Sequence, residues 1–191
     1  MAATKELCFL CFEHLQNALS KEKTDKVSKA VIDSSNHEQY PMFVTFNKDD
    51  DLRGCIGSFA PLPLYKGLQD TTIDSAFHDP RFPKMKLSEL PHLTCEISLL
   101  FQFEKVSDPL DWEIGKHGII LRLDHRQSTY LPEVAQEQGW DKMQTLSHLA
   151  RKGGFRGQYD QSALERSQVE RYQSSVAIAT WQEYQDFLKT H

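Results

Sequence analysis

The chain has 191 residues, 39% hydrophobic and 26% charged, with a formal net charge of -5. That balance fits one folded domain with a sizeable core and excludes an intrinsically disordered chain. The acidic excess argues against a general nucleic-acid binder, and no apolar run reaches the roughly 18 residues of a membrane span.

The N-terminus carries Glu6 early and has no uninterrupted apolar core, so it does not fit a signal peptide. Cys8, Cys11, Cys55 and Cys95 do not resemble a disulfide scaffold in a chain of this length. A reducing compartment, cytoplasmic or nuclear, is expected. Leu7, Cys11, Leu15, Ala18 and Leu19 recur at helical spacing and predict an N-terminal helix. Cys8 and Cys11 would share one of its faces, but two thiolates are half of a tetrahedral zinc site and no second pair follows. Core packing is the reading, and no metal is expected at Cys8, Cys11 or Cys95.

Residues 21–39 are polar and read as a loop with a short helical turn. Met42-Phe43-Val44-Thr45-Phe46 reads as a strand, and the cluster Asn47–Asp51 turns it into a hairpin. No glutamate follows the acidic triplet at calcium-loop spacing, so a solvated tip is expected. The returning stretch, Leu52-Arg53-Gly54-Cys55-Ile56-Gly57-Ser58-Phe59, is the most unusual in the chain. Glycine inside a strand marks a bulge or a close approach of backbone or ligand. Cys55 alternates with Ile56, and Ile56 is the better core residue, which leaves the thiol on the opposite face. Arg53 would favour its thiolate if the two are close. A small buried cysteine in a tight edge strand is the competing reading.

Pro61 and Pro63 introduce a helix with Leu64, Leu68, Ile73, Ala76 and Phe77 on its buried side, ending by Asp79-Pro80. In Asp79-Pro80-Arg81-Phe82-Pro83, either Asp79 and Arg81 pin the turn or Arg81 offers a planar fork to an anion. Leu93, Cys95, Ile97, Leu99, Phe101 and Phe103 alternate with mostly polar residues, which predicts a strand with one buried face. His117 stands at the entrance of a further strand, where an imidazole is either structural or a proton carrier. Asp124–Gln127 reads as a hairpin loop, and Pro132 starts a short helix closed by Gly139. Asp141 caps a second helix, ended by Gly153-Gly154. Arg151, Lys152 and Arg156 complement that helix end or form a local anion pocket. A strand near Tyr172–Thr180 and a helix with the capping box Thr180-x-x-Glu183 finish the chain. Val176, Ile178, Trp181, Tyr184 and Leu188 are expected to close the core, so a 1–160 fragment should be insoluble.

Leu52-Arg53-Gly54-Cys55-Ile56-Gly57 resembles the hallmark of the AMMECR family, named for the Alport syndrome, mental retardation, midface hypoplasia and elliptocytosis chromosomal region. Further blocks agree in order and spacing: Tyr40-Pro41-x-Phe43-Val44-Thr45, Asp79-x-Arg81-Phe82-Pro83-x-Met85, Glu89-Leu90-Pro91 and Asp111-Trp112-Glu113-Ile114-Gly115-x-His117-Gly118. Tyr130-Leu131-Pro132-Glu133-Val134-Ala135 and Arg151-Lys152-Gly153-Gly154 follow. The resemblance covers nearly the whole chain. It is to the eukaryotic form, with Glu133 where many prokaryotic relatives carry glutamine. It implies an α+β fold, an antiparallel sheet flanked by helices, as a single domain with a smaller packed subdomain and a cleft near the cysteine motif.

Three classes of function fit these residues. In the first, an enzyme uses Cys55 as nucleophile and His117 or Glu133 as proton carrier. Arg53, Arg81 and Lys152 then hold a small anionic substrate, and Gly54 and Gly57 allow its close approach. In the second, the same residues support a protein-binding cleft without turnover. The third, an RNA-associated protein, is disfavoured by charge and by the lack of an RNA-binding motif. No cofactor, metal or membrane partner is expected.

Overall fold

The structure is a computed structural model in which residues 2–33 and 37–190 are described, so residues 34–36 of the polar segment lie outside the description. In chain order the elements are α1 (Lys5–Leu19), α2 (Lys26–Val31), β1 (Gln39–Lys48), β2 (Asp51–Pro63) and α3 (Leu64–Phe77). A 3-10 turn (Leu87–His92), β3 (Leu93–Val106), β4 (Gly118–Leu123), β5 (Arg126–Tyr130) and α4 (Pro132–Gln138) follow. The chain ends with α5 (Lys142–Lys152), α6 (Gln161–Arg166), β6 (Gln168–Thr180) and α7 (Trp181–Thr190). The fold is α+β, with strand order β2-β1-β3-β6-β4-β5 and helices beside the sheet. Two compact units share it: Met1–Leu100 with Ser175–His191, and Phe101–Ser174. β3 and β6 run on from one unit into the other, so along the chain the second unit is an insertion in the first.

In the first unit the alternation of β1 and β3 sets the core. Met42, Val44 and Phe46 pair with Leu99, Ile97 and Cys95 in antiparallel register, and all six side chains are buried. α1 contributes Leu7, Leu10, Cys11, Phe12 and Leu15 to the same core, as its spacing requires. Fully burying a side chain of this kind contributes roughly 1.5–3 kcal/mol. Phe12 meets Trp181 edge-on at 5.5 Å and stacks with Tyr184 at 5.8 Å, which ties α7 to α1. Cys8 and Cys11 are packed away as the helical pattern predicts, but they do not lack a companion thiol. Cys95 joins them, and burial first, then Cys11 and Cys8, pushes its thiol up, so it stays neutral.

Both hairpins turn on two consecutive left-handed residues, Asp49 and Asp50 (φ 49° and 70°) and Asp124 and His125 (φ 47° and 66°). Such loops match the strand twist, and aspartate tolerates the conformation better than most residues. The acidic tip is thus explained by backbone geometry. Asp141 caps α5 by accepting from the Gln144 N–H at 2.8 Å, and Gly154 (φ 89°) supplies the left-handed exit. The second unit has its own core, in which Trp112, Ile119, Leu121, Leu146, Leu149 and Val169 are buried together.

One element goes unread in the sequence, and an expectation fails. The short polar helix α6 carries no apolar periodicity; Asp160 starts it by accepting from the Ala163 N–H at 3.0 Å. On β6 the alternation is inverted: Val176 and Ile178 are 46% and 49% exposed, while Ala177 and Ala179 face the core. The cause is close approach, since the Cys8 thiol donates to the Ala177 carbonyl at 3.3 Å and leaves room only for methyl groups. Ile178→Ser should therefore change stability by no more than about 0.5 kcal/mol, whereas Ala179→Leu should cost about 1–3 kcal/mol in urea unfolding. The reverse order would contradict this packing.

Candidate functional site

β2 is the terminal strand of the sheet, and its glycines mark two close approaches. A Cβ at Gly54 would lie 2.2 Å from the Ser75 carbonyl oxygen, so only glycine lets α3 pass so near the strand. The Ser75 hydroxyl uses that proximity. It accepts from the Ile56 N–H at 3.0 Å and donates to the Val44 carbonyl at 2.8 Å, inserting between two residues paired in register. A Cβ at Gly57 would lie 2.2 Å from the Phe43 ring, which covers this part of the strand and meets Phe59 at 5.2 Å.

Cys55 lies between these two glycines. Among the described residues its backbone has no strand neighbour on the outer side, and the segment after α3 fills that place. The Cys55 N–H donates to Asp79 Oδ2 at 2.9 Å, and the Cys55 carbonyl accepts from Arg81 Nη2 at 3.1 Å. Asp79 also accepts from the Arg81 N–H at 3.1 Å, from Nε at 3.0 Å and from Nη2 at 2.8 Å. The Asp79 side chain is 2% exposed, and the Arg81 guanidinium holds its carboxyl far below the usual range. Asp79 in turn keeps Arg81 protonated more firmly than usual, with Cys55 a smaller contributor.

Cys55 pairs with Thr45, and the Thr45 hydroxyl donates to Sγ at 3.0 Å. Thr45 alternates with the buried Val44 and Phe46, so this hydroxyl and thiol occupy the face of the sheet opposite the core, where Cys55 is half-buried. Arg53 belongs to the same face, two residues back, but its fork is turned toward Glu89. Nε donates to Oε1 at 2.8 Å and Nη2 to Oε2 at 3.2 Å. The arginine beside Cys55 is therefore Arg81.

The structure thus brings together Cys55, Arg53, Gly54, Gly57 and Arg81 in the first unit; His117, Glu133 and Lys152 belong to the second. His117 is buried, and its Nδ1 accepts from the Glu113 N–H at 3.0 Å while the His117 backbone N–H donates to the Glu113 carbonyl. Burial, then Arg171 and Lys116, lowers its pKa, so the imidazole is neutral with its proton on Nε2. Lys152 donates to the Thr129 carbonyl at 2.8 Å and stands 4.7 Å from the centre of the Tyr130 ring. Tyr172 donates to the Tyr130 carbonyl at 3.0 Å. Burial pushes its hydroxyl up, and the charge of Glu133 adds to that, which places Glu133 in its neighbourhood.

Sequence reasoning missed Thr45, Ser75 and Glu89 and gave Asp79 no more than a turn. The legible signals were Thr45 and Cys55 across one hairpin, and an acid in each of two blocks that also resemble the family. Asp79→Asn, which keeps the shape and loses the charge, should cost about 2–3 kcal/mol in urea near neutral pH. The depressed pKa of Asp79 contributes stability above the unfolded value of about 3.9 that is lost as pH falls further, so the cost should shrink near pH 3. A cost independent of pH would show that the charge on Asp79 is not what holds the strand.

A protein-family model described as AMMECR1 matches residues 8–177. The "Uncharacterized protein At2g38710" of Arabidopsis thaliana is 36% identical over 200 residues, covering 99% of this chain and 91% of that one. The "Uncharacterized protein C688.03c" of Schizosaccharomyces pombe is 38% identical over 188 residues, 94% of each chain. A crystal structure titled as the uncharacterized protein PH0010 from Pyrococcus horikoshii shares the fold with a TM-score of 0.70 at 26% identity, covering 91% of this chain and 89% of that one. A family match that takes in both the Cys55 strand and the insertion, with relatives alike along nearly their whole length, establishes that this chain belongs to the AMMECR1 family.

Proposed function

We propose that the protein is an enzyme that uses Cys55 as a nucleophile on a small anionic substrate. The observation that carries this reading is the setting of the thiol. It lies on the face opposite the core, half-buried, with a hydroxyl donating to sulfur at 3.0 Å and its backbone pinned by Asp79 and Arg81. A donated hydrogen bond stabilises negative charge as it develops on sulfur, and a pinned strand keeps the nucleophile oriented. Cys8, Cys11 and Cys95, by contrast, are fully buried. Arg81 holds the Cys55 carbonyl while ion-paired to Asp79, and Arg53, two residues away, is ion-paired to Glu89 with Nη1 left unmatched among the described residues. The reading assigns no step to His117, whose Nδ1 is committed to Glu113, nor to Lys152, which donates to the Thr129 carbonyl on β5, nor to Glu133, which belongs to the second unit.

The second reading, an interaction module without turnover, draws on exposed Leu52 on β2 and Leu87 on the 3-10 turn, 42% and 51% accessible. Iodoacetamide labelling of the native protein separates the two. Cys55 should label far faster than the other three cysteines, and Thr45→Val should slow it about fivefold to tenfold, as loss of about 1 kcal/mol of hydrogen bonding to sulfur implies. Labelling of Cys55 no faster than Cys95 sinks the nucleophile and leaves the interaction module. Labelling unaffected by Thr45→Val removes the activation argument.

A further inference from the structure

Next to Arg53 the first unit holds a cavity of about 360 Å³ whose wall includes Lys48, Arg53, Lys84, Lys86, Ser88 and Glu89. Four cations and one carboxylate meet there, in a chain whose net charge is -5. Glu89 is already occupied. Its Oε1 accepts from Arg53 Nε at 2.8 Å and from Lys48 Nζ at 3.5 Å, and its Oε2 accepts from Arg53 Nη2 at 3.2 Å and the Lys86 N–H at 2.8 Å. Arg53 above all pushes its carboxyl down to about 2, so it remains ionised and orients the guanidinium. The local balance stays about +3.

Several donors are left over. Arg53 is only 11% exposed along its side chain, and its buried Nη1 has no hydrogen-bond partner among the described residues. A charged donor left so costs desolvation without return unless an acceptor reaches it. The ammonium groups of Lys84 and Lys86 make no ion pair among the described residues, and the Ser88 hydroxyl adds a neutral donor. The one carboxylate in the wall, Glu89, already accepts from four donors.

A planar guanidinium flanked by lysines matches a tetrahedral oxyanion, which presents several acceptor oxygens at once. A carboxylate would offset only one of the surplus charges, whereas a phosphate monoester carries nearly two above pH 6 or so. The cavity falls in the range of small-molecule sites, roughly 300–1,000 Å³, and holds more than a bare phosphate. A nucleic-acid backbone would need a basic stripe rather than one pocket on an acidic chain.

We propose that this cavity binds the phosphate group of a small phosphorylated molecule, with Arg53, Lys48, Lys84 and Lys86 as its donors. This names the class of anion for the function proposed above and rests on that reading only for what Cys55 does next. Cys55 is not part of the cavity wall, so binding stands or falls by itself.

The test is a calorimetric titration with phenyl phosphate at constant ionic strength, against inorganic phosphate and sodium chloride. Phenyl phosphate should bind saturably, more tightly as pH rises through about 6, and more tightly than inorganic phosphate. Lys84→Gln/Lys86→Gln, which removes two exposed groups with no ion pair to lose, should weaken it at least tenfold. Lys29→Gln on α2 should leave it unchanged, as should Cys55→Ala. No saturable binding, or equal binding by the double variant, overturns the site. Equal binding of inorganic phosphate overturns the ester and limits the cavity to the free ion. If phenyl phosphate binds while Cys55 fails the labelling test, the catalytic reading falls and the site stands.

Discussion

A terminal strand leaves one row of backbone N–H and C=O groups without a strand partner, and at Cys55 that row is closed by the Asp79 carboxylate and the guanidinium it holds. Taking a carboxylate out of water costs several kcal/mol unless its oxygens are filled. Here four N–H donors from Cys55 and Arg81 fill them. The arrangement is local in the chain on one side, through the stiff Asp79-Pro80-Arg81 turn, and distant on the other, through the strand. Loss of the charge would release both. The orientation of the thiol depends on it, because a strand fixed at its backbone presents its side chain in one direction only.

The same neighbourhood holds two acid–arginine pairs with different consequences. Arg81 gives Nε and Nη2 to Asp79 and shares Nη2 with the strand, so most of its donor capacity is committed. Arg53 gives Nε and Nη2 to Glu89 and keeps Nη1 buried and unmatched. Geometry therefore divides labour that the residue types alone do not. Arg81 positions, and Arg53 retains capacity for a ligand. Glycine makes the first pair possible, since a methyl at Gly54 would push α3 away and with it the segment that carries Asp79 and Arg81.

What the sequence made legible was whatever depends on neighbours a few residues apart. The alternation of β3 as far as Ile97, the spacing of α1, the aspartates of both hairpin tips and the capping residues of α5 and α7 are all of that kind; beyond Ile97 the expected single buried face fails, since Ser98 and Leu100 are buried along with Leu99. The face on which Cys55 stands followed from the same alternation, because Ile56 pairs with the core residue Val44. Partners across long separations were not legible. Nothing near Arg53 shows that its charge is met by Glu89, 36 positions on, or that Ser75 enters the ladder between Val44 and Ile56. On β6 both phases of the alternation are apolar, and only the nearness of α1 decides that the alanines go inside.

The central claim is that the Asp79 charge holds β2 at Cys55, and amide hydrogen exchange at that one residue tests it most directly. The Cys55 N–H faces away from the rest of the sheet, so without Asp79 it would meet water. The account predicts strong protection of this amide in the native protein and its loss in Asp79→Asn, with the buried β1 amides unchanged. Exchange of the Cys55 amide at the rate of an exposed edge, or undiminished protection in the variant, would contradict it.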